Sequence, residues 1–374
     1  VSRGVDCGPA LWSPRADALI FGGSALFALA LVAARHGFGA SADLPEWSFL
    51  AFVLAVDVAH VYSTLFRTYL DSSEFAAQRT RYLLVPLAGY VAAVLLYRQG
   101  PLVFWRALAY LALFHFVRQA AGWVAVYRAR AGSKGPYERV IDECAIYAAT
   151  LYPVVHWHAH LADKQFAWFV SGDFLSVDVL ARVEPLARWL WGGALAVFAL
   201  REIVRFAARG EVALGRVVVV ASTAATWYVG IVLTNSDFDF TVTNVITHGV
   251  PYVALLWAYA RARRSEVPQS WLAVVVRNGL GVFLGLLVAL AFAEELLWDR
   301  LVWHERAWLF GEGTALGESL LAWVVPLLAV PQLTHYVLDG FLWRRGETRR
   351  LGAQRAALGF AGGGHRQTLV DSRL

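Results

Sequence analysis

Four histidines stand inside long apolar stretches, each with a polar partner about one helical turn away. His60 has Asp57, His115 has Arg118 and Gln119, His248 has Asn244 and Tyr252, and His335 has Gln332 and Asp339. At spacings of three or four, such partners share one face of a helix. Neutral imidazole is the commonest metal ligand, and a group that accepts its other ring N–H fixes the tautomer and the ring orientation. The pattern nominates His60, His115, His248 and His335 as metal ligands, with Asp57 and Asp339 as further ligands or as orienting partners. Glu143, which follows Asp142 at the start of another apolar stretch, is a candidate ligand or proton relay. Arg118, Gln119 and Tyr252 complete the candidate catalytic set. Arg118 is expected to pair with Asp142 or Glu143, or to hold an anionic substrate head group. The competing interpretation is packing, because an Asp and a His three residues apart on a buried helix can simply neutralise each other.

For these residues to meet, the stretches that carry them must be helices lying side by side. The chain of 374 residues is 58% hydrophobic and only 16% charged, against about 25% charged for a soluble protein, and its mean hydropathy is +0.51. So little charge cannot coat a water-soluble body. Sixteen Trp and fourteen Tyr suit the membrane–water interface. Crossing a bilayer takes about 20 apolar residues as helix, and ten stretches qualify: about 17–34, 47–66, 82–97, 102–127, 140–156, 185–206, 214–234, 242–260, 272–297 and 318–343. A lipid-exposed span must satisfy its own backbone hydrogen bonds, which requires helix, and the alternating segments of an outer-membrane barrel are absent. The expected fold is all-α, a polytopic transmembrane bundle of about ten spans in one domain, 1–345. A basic, Gly-rich and flexible tail, 346–374, follows and would sit near anionic lipid.

Basic residues orient the bundle. With strict alternation of ten spans, 24 of the 33 Lys and Arg fall in the segments on the side of the N-terminus and 8 on the other side, with Arg118 inside a span. The positive-inside rule then places both termini in the cytoplasm, in the plasma (inner) membrane of a bacterium. On this topology His60, His115 and His335 lie about 6–12 residues above the inner ends of their helices, or about 10–18 Å at 1.5 Å per residue. His248 sits at a similar depth. Asp57, Asp339, Glu143 and Gln119 are expected in the same layer.

A second polar group belongs to the opposite rim: His156, His158 and His160 with Asp163, Asp237 and Asp239, and Glu294, Glu295, Asp299, His304 and Glu305. His156 and His160 have the i, i+4 spacing of a metal pair, but acidic residues are ordinary where Lys and Arg are sparse, and a solvated rim is the favoured interpretation. Cys7 and Cys144 are not expected to pair. No CxxC, CxxCH, Walker sequence or GxGxxG occurs, and the net charge of +5 is spread through loops, so a nucleic-acid partner is not expected.

Scattered His with acidic residues resembles the membrane non-haem iron enzymes, such as fatty-acid desaturases and bacterial carotenoid-cleaving oxygenases. The repeated HxxxH and HxxHH boxes of the desaturases are absent; the one HxxxH, His156 to His160, falls on the outer face, so no site residue is carried over. The expectation is a membrane metalloprotein, an oxidoreductase acting on a lipid, isoprenoid or quinone-type substrate, with a transition metal, iron foremost, and a possible redox partner. The alternatives are a haem-b protein of quinol electron transfer, with two of the histidines as axial ligands, and a proton- or ion-coupled transporter.

Overall fold

Short polar side chains open the helices and glycines close them. Ser13, Asp71, Ser236 and Ser270 each accept a hydrogen bond from the backbone N–H three residues on, satisfying a donor that the first turn cannot pair. Pro14 and Pro101 take first-turn positions, where a missing N–H costs nothing. Gly39 and Gly210, with φ of +62° and +68°, end two helices in the left-handed conformation.

The computed structural model describes residues 6–39, 41, 43–133, 135–343 and 356–358. Among them the regular elements are helices, beside one isolated bridge between Asp6 and Glu211. The principal helices are α1 (Pro14–Phe38), α2 (Glu46–Arg67) and α3 (Ser72–Gln99), then α4 (Pro101–Arg130), α5 (Pro136–Ala159) and α6 (Asp178–Arg209). They continue with α7 (Leu214–Leu233), α8 (Asp237–Arg263), α9 (Trp271–Arg277), α10 (Leu280–Trp303) and α11 (Glu318–Leu342).

Six of them, α1, α2, α3, α7, α10 and α11, are long and apolar enough to cross a bilayer. Large apolar side chains face outward on α3 (Leu83, Leu87, Leu95) and α6 (Trp189, Leu190, Leu200), surfaces that water would not tolerate and lipid would. These features mark an integral membrane protein. Helices α4, α5, α6 and α8 run for 30, 24, 32 and 27 residues, long enough but less apolar than these six.

Each of the ten apolar stretches falls on helix, with two departures. The stretch 272–297 is not one rod: α9 stops at Arg277, and Gly279, at φ +96°, separates it from α10. The stretch 318–343 is interrupted at Ala329, where ψ is −6°. Pro331 lies two residues later and cannot donate to the preceding turn, so the half of α11 that carries His335 starts afresh. Of the tail, only 356–358 are described; Ala357 and Leu358 are buried in the main core, and the Leu358 carbonyl accepts from Arg130 at 3.1 Å. The rest of the tail lies outside the described residues.

Helix α8 runs through the middle. It packs on α1, α2, α4 and α7 and buries residues around its circumference, from Phe238 and Val242 to Leu256 and Tyr259. Helices α2, α8, α4 and α11 touch in a closed ring: α2 on α8, α8 on α4, α4 on α11 and α11 on α2. At the basic end, buried Asp142 of α5 accepts from Arg216 of α7 at 2.9 Å and forms an ion pair with Arg201 of α6 at 2.7 Å. Beside it, Asp71 accepts from Tyr259 and Arg263 of α8, and Arg67 pairs with Glu74 at 2.9 Å. Buried charges persist only when paired in this way, and these pairs fix the helices below the histidine layer.

Candidate metal centre

Each helix of the inner ring contributes one histidine: His60 from α2, His248 from α8, His115 from α4 and His335 from α11. All four are buried, at 1–6% exposure. Neighbouring imidazoles stand 4.8 Å (His60–His248), 5.0 Å (His248–His115), 4.6 Å (His115–His335) and 4.9 Å (His335–His60) apart between ring centroids, so the rings close in the same order as the helices. Adjacent ring planes cross at 68–89°. Nε2 of His60 lies 3.2 Å from Nε2 of His248, and Nε2 of His115 lies 3.1 Å from Nε2 of His335. One nitrogen from each ring falls within 4.8 Å of the other three. Metal–imidazole bonds of about 2.0–2.1 Å put tetrahedral nitrogens about 3.3 Å apart and adjacent nitrogens of a square about 2.9 Å apart. Two of the six pairs lie between these values and the set as a whole spans up to 4.8 Å, so the four residues could hold one metal ion after a small inward adjustment.

Close approach of two backbones makes this possible. A Cβ on Gly249, next to His248, would stand 2.8 Å from Val56 Cγ1 and 3.3 Å from the Val56 carbonyl oxygen. Only glycine lets α8 come this near to α2. The turn of α2 that leads to His60 is also wide, a π-type stretch over Phe49–Val58, of the kind often found at functional sites.

With a metal on the inward Nε2 atoms, the protons would belong on Nδ1. Nδ1 of His335 lies 2.7 Å from Thr64 Oγ1, and that hydroxyl also meets the Tyr252 hydroxyl at 3.1 Å. Nδ1 of His115 faces Asp339 at 3.6 Å and Nδ1 of His60 faces Asp57 at 3.7 Å, beyond direct hydrogen-bond length but within ion-pair range or reach of a bridging water. The His248 ring stacks on Phe116, centroids 3.6 Å apart and planes 8° apart, and its carbonyl accepts from Gln119 Nε2 at 3.0 Å. The two carboxylates therefore stand at the outer edges of the imidazoles, away from the point where Nε2 atoms converge.

A cavity of about 430 Å³ opens beside His115 and is also lined by Arg118, Gln119, Tyr252, Asp339 and Tyr336. Its remaining walls include Trp123, Val126 and Leu255, and it reaches the outside of the bundle at Phe114, which is 62% exposed. Three candidate catalytic residues thus share one cavity with two candidate ligands, His115 and Asp339. Glu143 does not join them. It accepts from Arg139 at 2.8 Å and from Arg128 at 3.3 Å, two turns of α5 or more below the histidine layer. Nor does Arg118 reach Glu143 or Asp142: it donates to the Tyr147 hydroxyl, while Asp142 is paired with Arg201 and Arg216.

The rim histidines are engaged separately. His156 faces Glu184 at 3.4 Å, His160 Nδ1 bonds the His156 carbonyl at 2.9 Å, and His158 turns the other way to Tyr110 at 2.9 Å. The i, i+4 pair is therefore held by protein partners, and the expected solvated rim is corrected in part: His158, Asp239, Glu294 and Asp299 are buried, with Asp239 accepting from Arg35 and Glu294 from Trp298. Thr64, Phe116 and Tyr336 are the site residues that pattern alone did not nominate. Thr64 carried a signal, since it lies four residues after His60, but its importance comes from the contact with α11. A search of family models, of curated proteins and of solved structures returned no match to this chain.

Proposed function

We propose that the protein is an integral membrane metalloprotein in which His60, His115, His248 and His335 bind one transition-metal ion, iron foremost, and that it carries out oxidoreductase chemistry on a hydrophobic substrate. The observation that carries this reading is the convergence of four buried imidazoles, one from each helix of a closed ring, with inward nitrogens 3.1 and 3.2 Å apart. Four neutral histidines hydrogen-bonded in pairs would explain two contacts, but not the ring of four at one depth.

A bare ion fits this packing better than haem. Ring centroids 4.6–5.0 Å apart around the whole circuit leave no slot between the imidazoles for a planar macrocycle. Bound there, iron would supply one-electron chemistry. The chain's own residues supply orientation: Thr64 holds His335, while Asp339 and Asp57 favour the Nδ1–H tautomer of His115 and His60. The cavity beside His115 would take a lipid, isoprenoid or quinone-type molecule from the bilayer past Phe114. Arg118, Gln119 and Tyr252 then offer polar contacts to its reacting end.

Elemental analysis of the purified protein tests the metal. One transition-metal ion per chain is expected in the wild type, with loss of most of it in His60→Ala and His335→Ala. Full retention by both variants, or no metal in the wild type, overturns the reading. A second reading, an ion-coupled transporter, draws on the two cavities that both reach Tyr336. Flux of protons or metal ions through reconstituted vesicles would favour it over an enzyme.

A further inference from the structure

A second cavity, of about 530 Å³, lies on the opposite side of Tyr336 from the first and differs from it in chemistry. Its deep part is lined by Asp57, Asn244 and Glu295, and its rim by Asp237, Glu305 and Arg306. Four carboxylates thus face one guanidinium, and Arg306 is already held by Glu305 at 3.1 Å and stacks on Phe49. Asp57 sits in the middle of α2, yet 38% of its side chain is accessible, and the cavity is what exposes it. One buried polar atom of the lining is without a hydrogen-bond partner, Oδ1 of Asn244, on a residue 2% exposed. Behind the lining, Nδ1 of His60 stands 3.7 Å from Asp57. At about 30 Å³ per water, the space holds on the order of fifteen waters.

We propose that this cavity is a hydrated vestibule through which a divalent cation reaches the four histidines from the acidic end of the bundle. The proposal rests on the metal reading above. Low-dielectric walls lined with one sign of charge concentrate cations and raise their association rate. Glu295, Glu305 and Asp237 gather the hydrated ion, and the unpaired Asn244 oxygen offers it a neutral ligand. Asp57 bridges from the water-filled space to the edge of His60. None of the rim carboxylates is needed once the ion is seated.

Two measurements test the two halves separately. In a chain freed of its own thiols by Cys7→Ser and Cys144→Ser, Gln332→Cys lines the vestibule and should react with a charged, membrane-impermeant thiol reagent; Leu87→Cys, on a lipid-facing surface, should not. Failure of Gln332→Cys to react overturns the hydrated vestibule whether or not metal binds. For loading, Co²⁺ uptake by the metal-stripped full chain is followed optically. The triple variant Asp237→Asn, Glu295→Gln, Glu305→Gln should take up Co²⁺ about tenfold more slowly at low salt. It should reach the same final stoichiometry and spectrum, and its rate should lose most of its dependence on ionic strength. An uptake rate equal to that of wild type overturns the loading role. If wild type binds no Co²⁺ while Gln332→Cys reacts, the four-histidine reading fails together with the loading role, and the water-filled cavity stands.

Discussion

At the scale of single residues, the site separates side chains that would bind from those that would orient. The inward Nε2 atoms belong to the four histidines alone, while Thr64 touches only the outer nitrogen of His335, at 2.7 Å. Replacing Thr64 with Val removes that acceptor and leaves a similar volume. The expected result is metal bound at the same stoichiometry with affinity lowered about 10–100-fold, measured by competition with a chelator. Loss of all metal would instead place Thr64 among the ligands. Asp142 offers a contrast. Converting it to Asn leaves Arg201 and Arg216 beside a neutral partner in a fully buried position. A broken buried pair costs about 3–5 kcal/mol, so the variant should melt earlier, yet the folded fraction should keep its metal because the lock lies outside the histidine layer.

At the scale of elements, the site depends on how closely four helices approach. Gly249 has no room for a Cβ against Val56. Gly249→Ala should therefore separate α8 from α2, cost about 1–3 kcal/mol through overpacking and weaken metal binding. Val56→Ala in the same chain should restore part of both, whereas equal binding by Gly249→Ala and wild type would show that the approach is not limiting. This contact also marks where the sequence stops being legible. The common depth expected for His60, His115, His248 and His335 agrees with the cluster that they form. Which side of a helix faces inward was less readable. Glu143, expected in the layer, lies two turns or more below it on α5, where Arg128 and Arg139 hold it. Arg118 finds the Tyr147 hydroxyl instead of a carboxylate. The break at Gly279 was legible but overlooked: Arg277-Asn278-Gly279 is a helix-stop signal inside the apolar stretch, and Gly279 takes the positive φ of +96° that such a stop uses.

At the scale of the whole molecule, six helices meet the length and apolarity of membrane spans. The four histidines are divided evenly between the two groups of helices: His60 and His335 lie on α2 and α11, which meet that standard, and His115 and His248 on the long helices α4 and α8, which do not. If all ten rods cross, a reporter fused after Trp343 and one fused before Ser13 should both register the cytoplasmic side; opposite sides would require an odd number of crossings. A bound ion that bridges α2, α4, α8 and α11 should also tie the bundle together. Occupancy at a hundred times the dissociation constant contributes about 2.7 kcal/mol, so a chelator should lower the melting temperature of wild type and leave that of His60→Ala unchanged. The most direct test of the central claim is X-ray absorption at the metal edge of the purified wild-type protein. Four imidazole nitrogens at about 2.0–2.2 Å around one ion per chain are the predicted result. A porphyrin signature, sulfur ligands, or a first shell with fewer than two imidazoles would contradict it.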